Sequence, residues 1–438
     1  MPLTIRIPFG GNWRSRHYGL PAITAVAVAT TAMSWDLPPS ADTWQAHVTY
    51  WTALPLVGAG LFLTTAHDTG ALCERCGVVP SRRRGPGSIA WSAQRGGADL
   101  VFLARATLSP HWRPIVNVEL LNPADFGQPI AVITGGWSRE RDRSLLSGRT
   151  VTGSLTSQGI EARVVDLETD RETLVDNLAG ASLAFLAIAG RGAEDGRLQG
   201  LLETLGIDYT GSGVRASALG MHKPLAKTVV ATAGVPVPAG TMVDLTRGTQ
   251  CEVDRITRLL GLPVIVKPAS EGGSIGLRIA GGSDQLAVAI GQVAEHEVMA
   301  ERFHPGRSIS VGVLEDHGTL RVLPALEVET TDGVYTYEAK RAQADCRYHC
   351  PARVSPEVQH ALRRQAFAAH RALGCHSYSR HDFIVTAADE VLWLEVNTLP
   401  GLSASGNLAR MATSYGLTYD QLIAHIVRGA RVERRAQS

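Results

Sequence analysis

A chain of 438 residues is longer than one hydrophobic core usually fills, and 45% apolar with 19% charged residues is the composition of ordinary folded protein, which excludes a disordered or fibrous chain. The formal net charge of +1 lacks the basic excess that nucleic-acid binders gather on one face, so no nucleic-acid partner is expected. Six cysteines (Cys73, Cys76, Cys251, Cys346, Cys350 and Cys375) are too few for a disulfide scaffold at this length and suit a reducing, cytoplasmic setting.

The first predicted elements are two stretches without Lys, Arg, Asp or Glu, His17 to Trp35 and Thr43 to His67, each about long enough to cross a bilayer as a helix. Arg6, Arg14 and Arg16 precede the first, Arg75 and Arg82-Arg83-Arg84 follow the second, and only Asp36 and Asp42 lie between. The positive-inside bias then predicts a two-helix membrane hairpin over residues 1–76, with spans at about 17–35 and 46–66 and both ends in the cytoplasm. Such a hairpin would anchor a cytoplasmic catalytic domain to the membrane. The other reading is a pair of buried helices in a soluble domain, since the first tract is rich in Ala and Thr and each contains a proline. Cys73-Glu-Arg-Cys76 supplies two metal ligands and His67 a third, short of the four a structural zinc site needs. Residues 77–128 read as a linker or small irregular region.

From Pro129 the pattern changes. Apolar runs at 130–134 (IAVIT), 162–167 (ARVVDL), 183–189 (LAFLAIA) and 262–268 (LPVIVKP) predict buried strands alternating with helix-length segments, the mark of an α/β protein. The helix beginning at Lys223 is predicted to stop at Gly234, just before Pro236, and that of Glu357 to Leu373 at Gly374.

Two segments carry chemistry. Pro263-Val-Ile-Val-Lys267-Pro-Ala-Ser-Glu271-Gly-Gly-Ser274-Ile-Gly276 delivers a lysine at a strand end and runs into a glycine-rich loop, where backbone N–H groups can approach phosphate oxygens. Taken alone, this loop is equally compatible with a structural turn. Arg380-His-Asp382 and Glu395-Val-Asn397 then fall on a predicted hairpin. Glu395 and Asn397, two apart, share a face, so three oxygen donors converge as a Mg²⁺-dependent phosphoryl-transfer site requires.

Together with Ala131-Val-Ile-Thr-Gly-Gly-Trp-Ser-Arg-Glu140-Arg, Gly190-Arg-Gly-Ala-Glu-Asp-Gly196, Tyr209-Thr-Gly-Ser-Gly213-Val-Arg-Ala-Ser217 and Tyr337-Glu-Ala-Lys340, these motifs make residues 129 to about 428 resemble the D-alanine-D-alanine ligase family of the ATP-grasp superfamily. The resemblance implies an ATP-grasp fold of three subdomains, at 129–220, 221–310 and 311–430. It implies that ATP phosphorylates the carboxylate of one amino acid and that the amine of a second displaces phosphate, a step of peptidoglycan synthesis. It implies two Mg²⁺ ions, with Mn²⁺ as an alternative, and a homodimer.

Carried over by motif, Lys223, Lys267 and Lys340 bind ATP phosphates, with Glu271, Gly272, Gly273 and Ser274 in the phosphate loop and Ser274 on the transferred group. Glu301 and the backbone from Arg302 to His304 hold the adenine, and Asp382, Glu395 and Asn397 hold the metal. Glu140 receives the first substrate's amine, and Arg380 with the Gly401 backbone stabilises the oxyanion. Ser405 and Asn407 lie at the second substrate, and Arg341 lies at the first.

The departures from the family pattern cluster. Ala189 stands for a histidine, Gly273 for a serine and Arg341 for an aromatic residue, all around the first substrate; Gly406, Ser308 and His222 replace a serine and two acidic residues elsewhere. A first substrate larger or more acidic than D-alanine is therefore expected. The alternatives are a D-alanine-D-lactate type depsipeptide ligase, a dipeptide ligase of specialised metabolism, and a membrane-tethered nucleotide-binding pseudoenzyme. Survival of every phosphate lysine and metal ligand favours an enzyme over the last of these.

Overall fold

The computed structural model describes residues 118–293, 297–316, 319–330 and 346–431, together with six backbone strands before residue 106. The chain divides into two units, Met1–Arg113 and Pro114–Ser438.

In the first unit β1 (Leu3–Gly10), β2 (Met33–Asp36) and β3 (Thr43–Tyr50) form an antiparallel sheet in the order β1-β3-β2, and β4 (Val78–Ser81), β5 (Ser88–Arg95) and β6 (Ala98–Arg105) form another in chain order. Most of the two expected membrane spans lies outside the described residues. Where they are described, at Met33–Asp36 and Thr43–Tyr50, the backbone is extended and paired rather than helical, in keeping with the β-branched and aromatic residues Trp44, Val48, Thr49 and Tyr50. No helix among the described residues is long and apolar enough to cross a membrane.

The second unit is mixed α/β. Its first sheet is parallel, in the order β8 (Ala162–Asp166), β7 (Ile130–Thr134), β9 (Leu183–Leu186), with α1 (Arg141–Ser157) and α2 (Leu174–Leu178) as crossovers. All five residues of β7 are buried because it is the central strand, which is why its sequence runs apolar without alternation. The run expected as a strand to Ala189 ends as a strand at Leu186. Then α3 (Arg197–Leu205), α4 (Val214–Met221) and α5 (Lys223–Thr232) follow.

The second sheet is antiparallel, in the order β10 (Gly240–Met242), β13 (Val298–Arg302), β11 (Val264–Pro268), β12 (Arg278–Ala280). It packs against α6 (Thr249–Leu260) and α7 (Ser283–Val293) through Val253, Ile256, Leu260, Leu286 and Ile290. The third runs β17 (Cys346–His349), β16 (Leu326–Thr330), β14 (Gly306–Asp316), β18 (Tyr378–Thr386), β19 (Val391–Asn397), with β15 (Thr319–Val322) paired to β14. Its core is closed by α5 and by α8 (Pro356–Leu373), which Ser355 caps and Gly374 ends in the left-handed conformation, the stop expected there. Two short helices, α9 (Asn407–Tyr415) and α10 (Tyr419–Arg428), finish the unit.

Candidate active site

The glycine-rich segment after β11 forms a tight turn, as its sequence suggests. β11 delivers Lys267, and the following residues turn through Gly273 (φ +63°), Ser274 (φ +64°) and Gly276 (φ +71°). Ser274 is one of three non-glycine residues in the left-handed region among those described, a conformation that costs energy and persists mainly where the surroundings enforce it. Gly272 is required for proximity: a Cβ there would overlap Glu140 Oε2, so the loop touches the carboxylate at the start of α1.

Lys223 opens α5 almost fully buried, with its Nζ donating to the Glu271 carbonyl and lying 3.4 Å from Glu395 Oε2. One cation thus joins the loop to the β18–β19 hairpin. His222, in place of the usual aspartate, serves as N-cap: its Nδ1 accepts the Leu225 N–H at 3.2 Å.

Lys267 and Lys227 converge on Glu301, which is 2% exposed; Lys227 Nζ lies 2.5 Å from Oε1 and Lys267 pairs with Oε2. Lys227 also donates to the Trp393 carbonyl at 3.3 Å and lies over the Trp393 ring. Burial brings the Lys227 ammonium down to about 8, while the two lysines hold the Glu301 carboxyl below its ordinary range despite burial. The Glu301 carboxylate therefore belongs to a buried ion triad. The adjacent Arg302 sends its guanidinium to the Leu260 carbonyl at 2.8 Å, and the Phe303 N–H bonds the Pro263 carbonyl at 3.1 Å.

The hairpin brings the three oxygen donors together. Asp382 pairs with Glu395 and Arg380 with Asn397 across the strands, with a bulge after Asp382. Arg380 grips Asp382 through Nε and Nη2, both at 2.9 Å, Ser310 Oγ donates to the same carboxylate at 2.6 Å, and Asn397 Nδ2 donates at 3.2 Å. Among the described residues no cluster of three or more His, Cys, Asp or Glu is arranged to hold a metal. Two carboxylates and one amide oxygen do suit a hard cation that takes its remaining ligands from phosphate oxygens and water.

Behind this face the alternate residues of β18 are locked. Trp393 Nε1 donates to His381 Nδ1 at 3.1 Å, His381 Nε2 meets Ser379 Oγ at 3.0 Å, and Ser379 meets His370 Nδ1 at 2.7 Å. Burial keeps both imidazoles neutral, lowering His370 to about 4 and holding His381 well below the ordinary histidine value.

Glu140 stands at the N-terminal boundary of α1 with 7% exposure, and Arg143 Nη1 approaches its Oε1 at 3.4 Å. Ala189 is fixed by its backbone: its N–H bonds Ser144 Oγ at 3.0 Å and its carbonyl accepts from Ser138 Oγ at 3.1 Å. Ser147, on the same face of α1, accepts the Leu402 N–H at 3.1 Å and so holds the turn containing Gly401. Ser405 is exposed, its carbonyl accepting from Arg410 at 2.9 Å, while Asn407 begins α9 after the cap Gly406. Lys340 and Arg341 lie outside the described residues.

Sequence reasoning missed Lys227, Arg143, Ser310 and Glu194. Lys227 had a signal, standing one helical turn after Lys223 on the same face. Glu194 stands inside the glycine-rich segment Gly190 to Gly196, yet nothing local distinguishes it from its neighbour Asp195.

Residues 229–428 match the family profile described as D-ala D-ala ligase C-terminus. The chain is similar to the D-alanine--D-alanine ligase of Pelobacter propionicus, 39% identical over 304 residues that cover 69% of this chain and 95% of that ligase. The same holds for the Geobacter sulfurreducens ligase, 38% identical over 311 residues, 70% of this chain and 96% of that one. Among solved structures, the Bacillus anthracis D-alanine--D-alanine ligase complexed with ATP superposes with a TM-score of 0.59 at 27% identity, over 69% of this chain and 97% of that one. The VanG D-Ala:D-Ser ligase of Enterococcus faecalis gives 0.59 at 25% identity, over 69% and 98%.

Proposed function

Because the chain belongs to the D-alanine-D-alanine ligase family, we propose that it uses ATP to join two small amino acids into a D-alanyl-D-alanine-like dipeptide through an acyl phosphate. The observation that carries this is Lys223, which joins the glycine-rich loop at the Glu271 carbonyl to Glu395 on the hairpin that also carries Asp382 and Asn397. Lys223, Lys267 and Lys340 neutralise the nucleotide phosphates, and Ser274 contacts the group in transfer. Asp382, Glu395 and Asn397 hold two magnesium ions, which when bound neutralise charge on the phosphates. Arg380 and the Gly401 backbone stabilise the oxyanion formed when the second amine attacks, with Ser405 and Asn407 beside that second substrate.

Glu140 receives the ammonium of the first substrate, and its surroundings support a substrate larger or more acidic than D-alanine. Ala189 and Gly273 are small, and Arg143 sets a cation 3.4 Å from Glu140, to which Arg341, assigned to this subsite by its motif, adds a second. Phosphate release by the full-length protein, measured over a panel of D- and L-amino acids, tests this. D-Aspartate or a larger D-amino acid is expected to outrun D-alanine at the first position, and Arg143→Ala to lower that advantage about tenfold, the loss of one charge-assisted contact. Strict preference for D-alanine at both positions overturns the acidic reading, and ATP binding without product from any pair overturns the ligase itself.

Gly272→Ala tests the placement of Glu140 separately. Its methyl must displace the Glu140 carboxylate, since the two would otherwise overlap, so KM for the first amino acid should rise about tenfold, and an unchanged KM would mean that Glu140 does not hold that substrate.

A further inference from the structure

Glu194 is 7% exposed, and its two carboxylate oxygens are bound to two distant parts of the chain. Oε2 accepts the N–H of Gly190 at 2.7 Å, and Oε1 accepts the N–H of Leu399 at 3.2 Å. The first bond closes the turn in which Glu194 stands, reinforced by the Glu194 N–H on the Gly190 carbonyl at 2.9 Å and by Gln199 on the Ala193 carbonyl at 2.7 Å. The second reaches the loop after β19, two residues before Gly401.

Gly190 in turn abuts the first subsite. It has φ +88°, and a Cβ there would lie 2.6 Å from Ser138 Oγ and 3.3 Å from Glu140 Oε2. One buried carboxylate therefore stands between the segment against which Glu140 rests and the turn whose backbone faces the reacting carbonyl. A buried carboxylate costs desolvation unless its lone pairs are satisfied, and here the compensating donors are backbone groups of two site loops. Burial and the nearby Glu140 raise the Glu194 carboxyl, against the pull of its N–H donors and Arg380, which places it electrostatically within the same site.

We infer that Glu194 is a positioning residue that sets the separation of Glu140 from the Gly401 turn by gripping the N–H groups of Gly190 and Leu399. The role rests on the proposed ligase activity. It acts by alignment: the first substrate is held by its amine at Glu140 while its activated carboxyl must meet the Gly401 turn and the second amine together. Misplacement by about 1 Å in such an arrangement costs on the order of a hundredfold in rate.

The full-length Glu194→Gln protein tests this. Its amide turns an NH₂ toward one of the two N–H donors, so one bond is lost with little change in volume. Dipeptide formation should fall roughly ten- to a hundredfold in kcat while KM for ATP stays near the wild-type value. Phosphate released per dipeptide should also rise above one. When the second amine is misaligned, water adds instead to the carbonyl carbon of the acyl phosphate, the carbon–oxygen bond to phosphate breaks with its electron pair leaving on phosphate, and the free amino acid is regenerated. A merely structural role would shift every parameter together and leave that ratio unchanged. If Glu194→Gln does not fold, Glu194→Asp, which keeps the charge but shortens the reach by one methylene, is read for the same ratio. Unchanged kcat and ratio, or a parallel loss of ATP affinity, overturns the positioning role. Absence of dipeptide from the wild type overturns the ligase activity itself, and the positioning role with it.

Discussion

Glu301→Gln is expected to destabilise the folded protein by about 3–5 kcal/mol at pH 7, because it leaves two buried ammonium groups without their shared carboxylate. Lys227 and Lys267 both point at Glu301, and all three residues are less than a tenth exposed, so solvent cannot take the place of the missing charge. The loss has a pH signature. Glu301 raises the Lys227 ammonium to about 8 from the still lower value that burial alone would give. The pairing needs Glu301 ionised and Lys227 protonated, so its contribution fades at acid pH as the Glu301 carboxyl takes up a proton, and it is lost as pH rises to about 8, where folded Lys227 gives up its proton. Denaturant unfolding of wild type and variant at pH 7 and about pH 9.5 should therefore show a gap that narrows at the higher pH. Equal midpoints at pH 7 would mean that the two lysines do not depend on this carboxylate.

This triad also marks how far a reading of the sequence reaches. The strand ending in Lys267 is legible because a β-branched run followed by glycines has few other structural solutions, and the same holds for the uniformly apolar β7. Asp382, Glu395 and Asn397 are legible because alternation along a strand fixes which residues share a face. Lys227 is different: a lysine in the first turns of an amphipathic helix is ordinarily solvated, and its burial follows only once Glu301 arrives from another sheet. Glu194 is hidden for the same reason, its meaning residing in a bond to Leu399 that folding alone creates. The uncharged tracts near the N-terminus show the opposite weakness. Length and lack of charge suggest membrane helices there, yet those measures are blind to β-branched and aromatic content, and the described pieces at Met33–Asp36 and Thr43–Tyr50 pair as strands.

Arg380→Lys is expected to reduce kcat about a hundredfold to a thousandfold, the range lost when a site gives up one oxyanion donor, although the charge is kept. The guanidinium binds Asp382 through Nε and Nη2 at once, a planar two-point grip that an ammonium cannot reproduce. Two consequences are combined in that loss, and they can be separated. If Arg380 acts only by aligning Asp382, the lysine variant should recover with excess magnesium, as Asp382→Asn is expected to do in part, because a weakened ligand set is refilled by mass action. If Arg380 also stabilises charge on the reacting carbonyl, its kcat stays low at saturating magnesium while the apparent affinity for the metal is near normal. The second outcome is expected, because Ser310 and Asn397 still hold Asp382 in the variant, at 2.6 Å and 3.2 Å, and the electrostatic influence of Arg380 extends to Glu194 on the opposite side of the site. Steady-state rates over a magnesium series for Arg380→Lys and Asp382→Asn decide between them, and full rescue of the arginine variant by metal would confine Arg380 to holding Asp382.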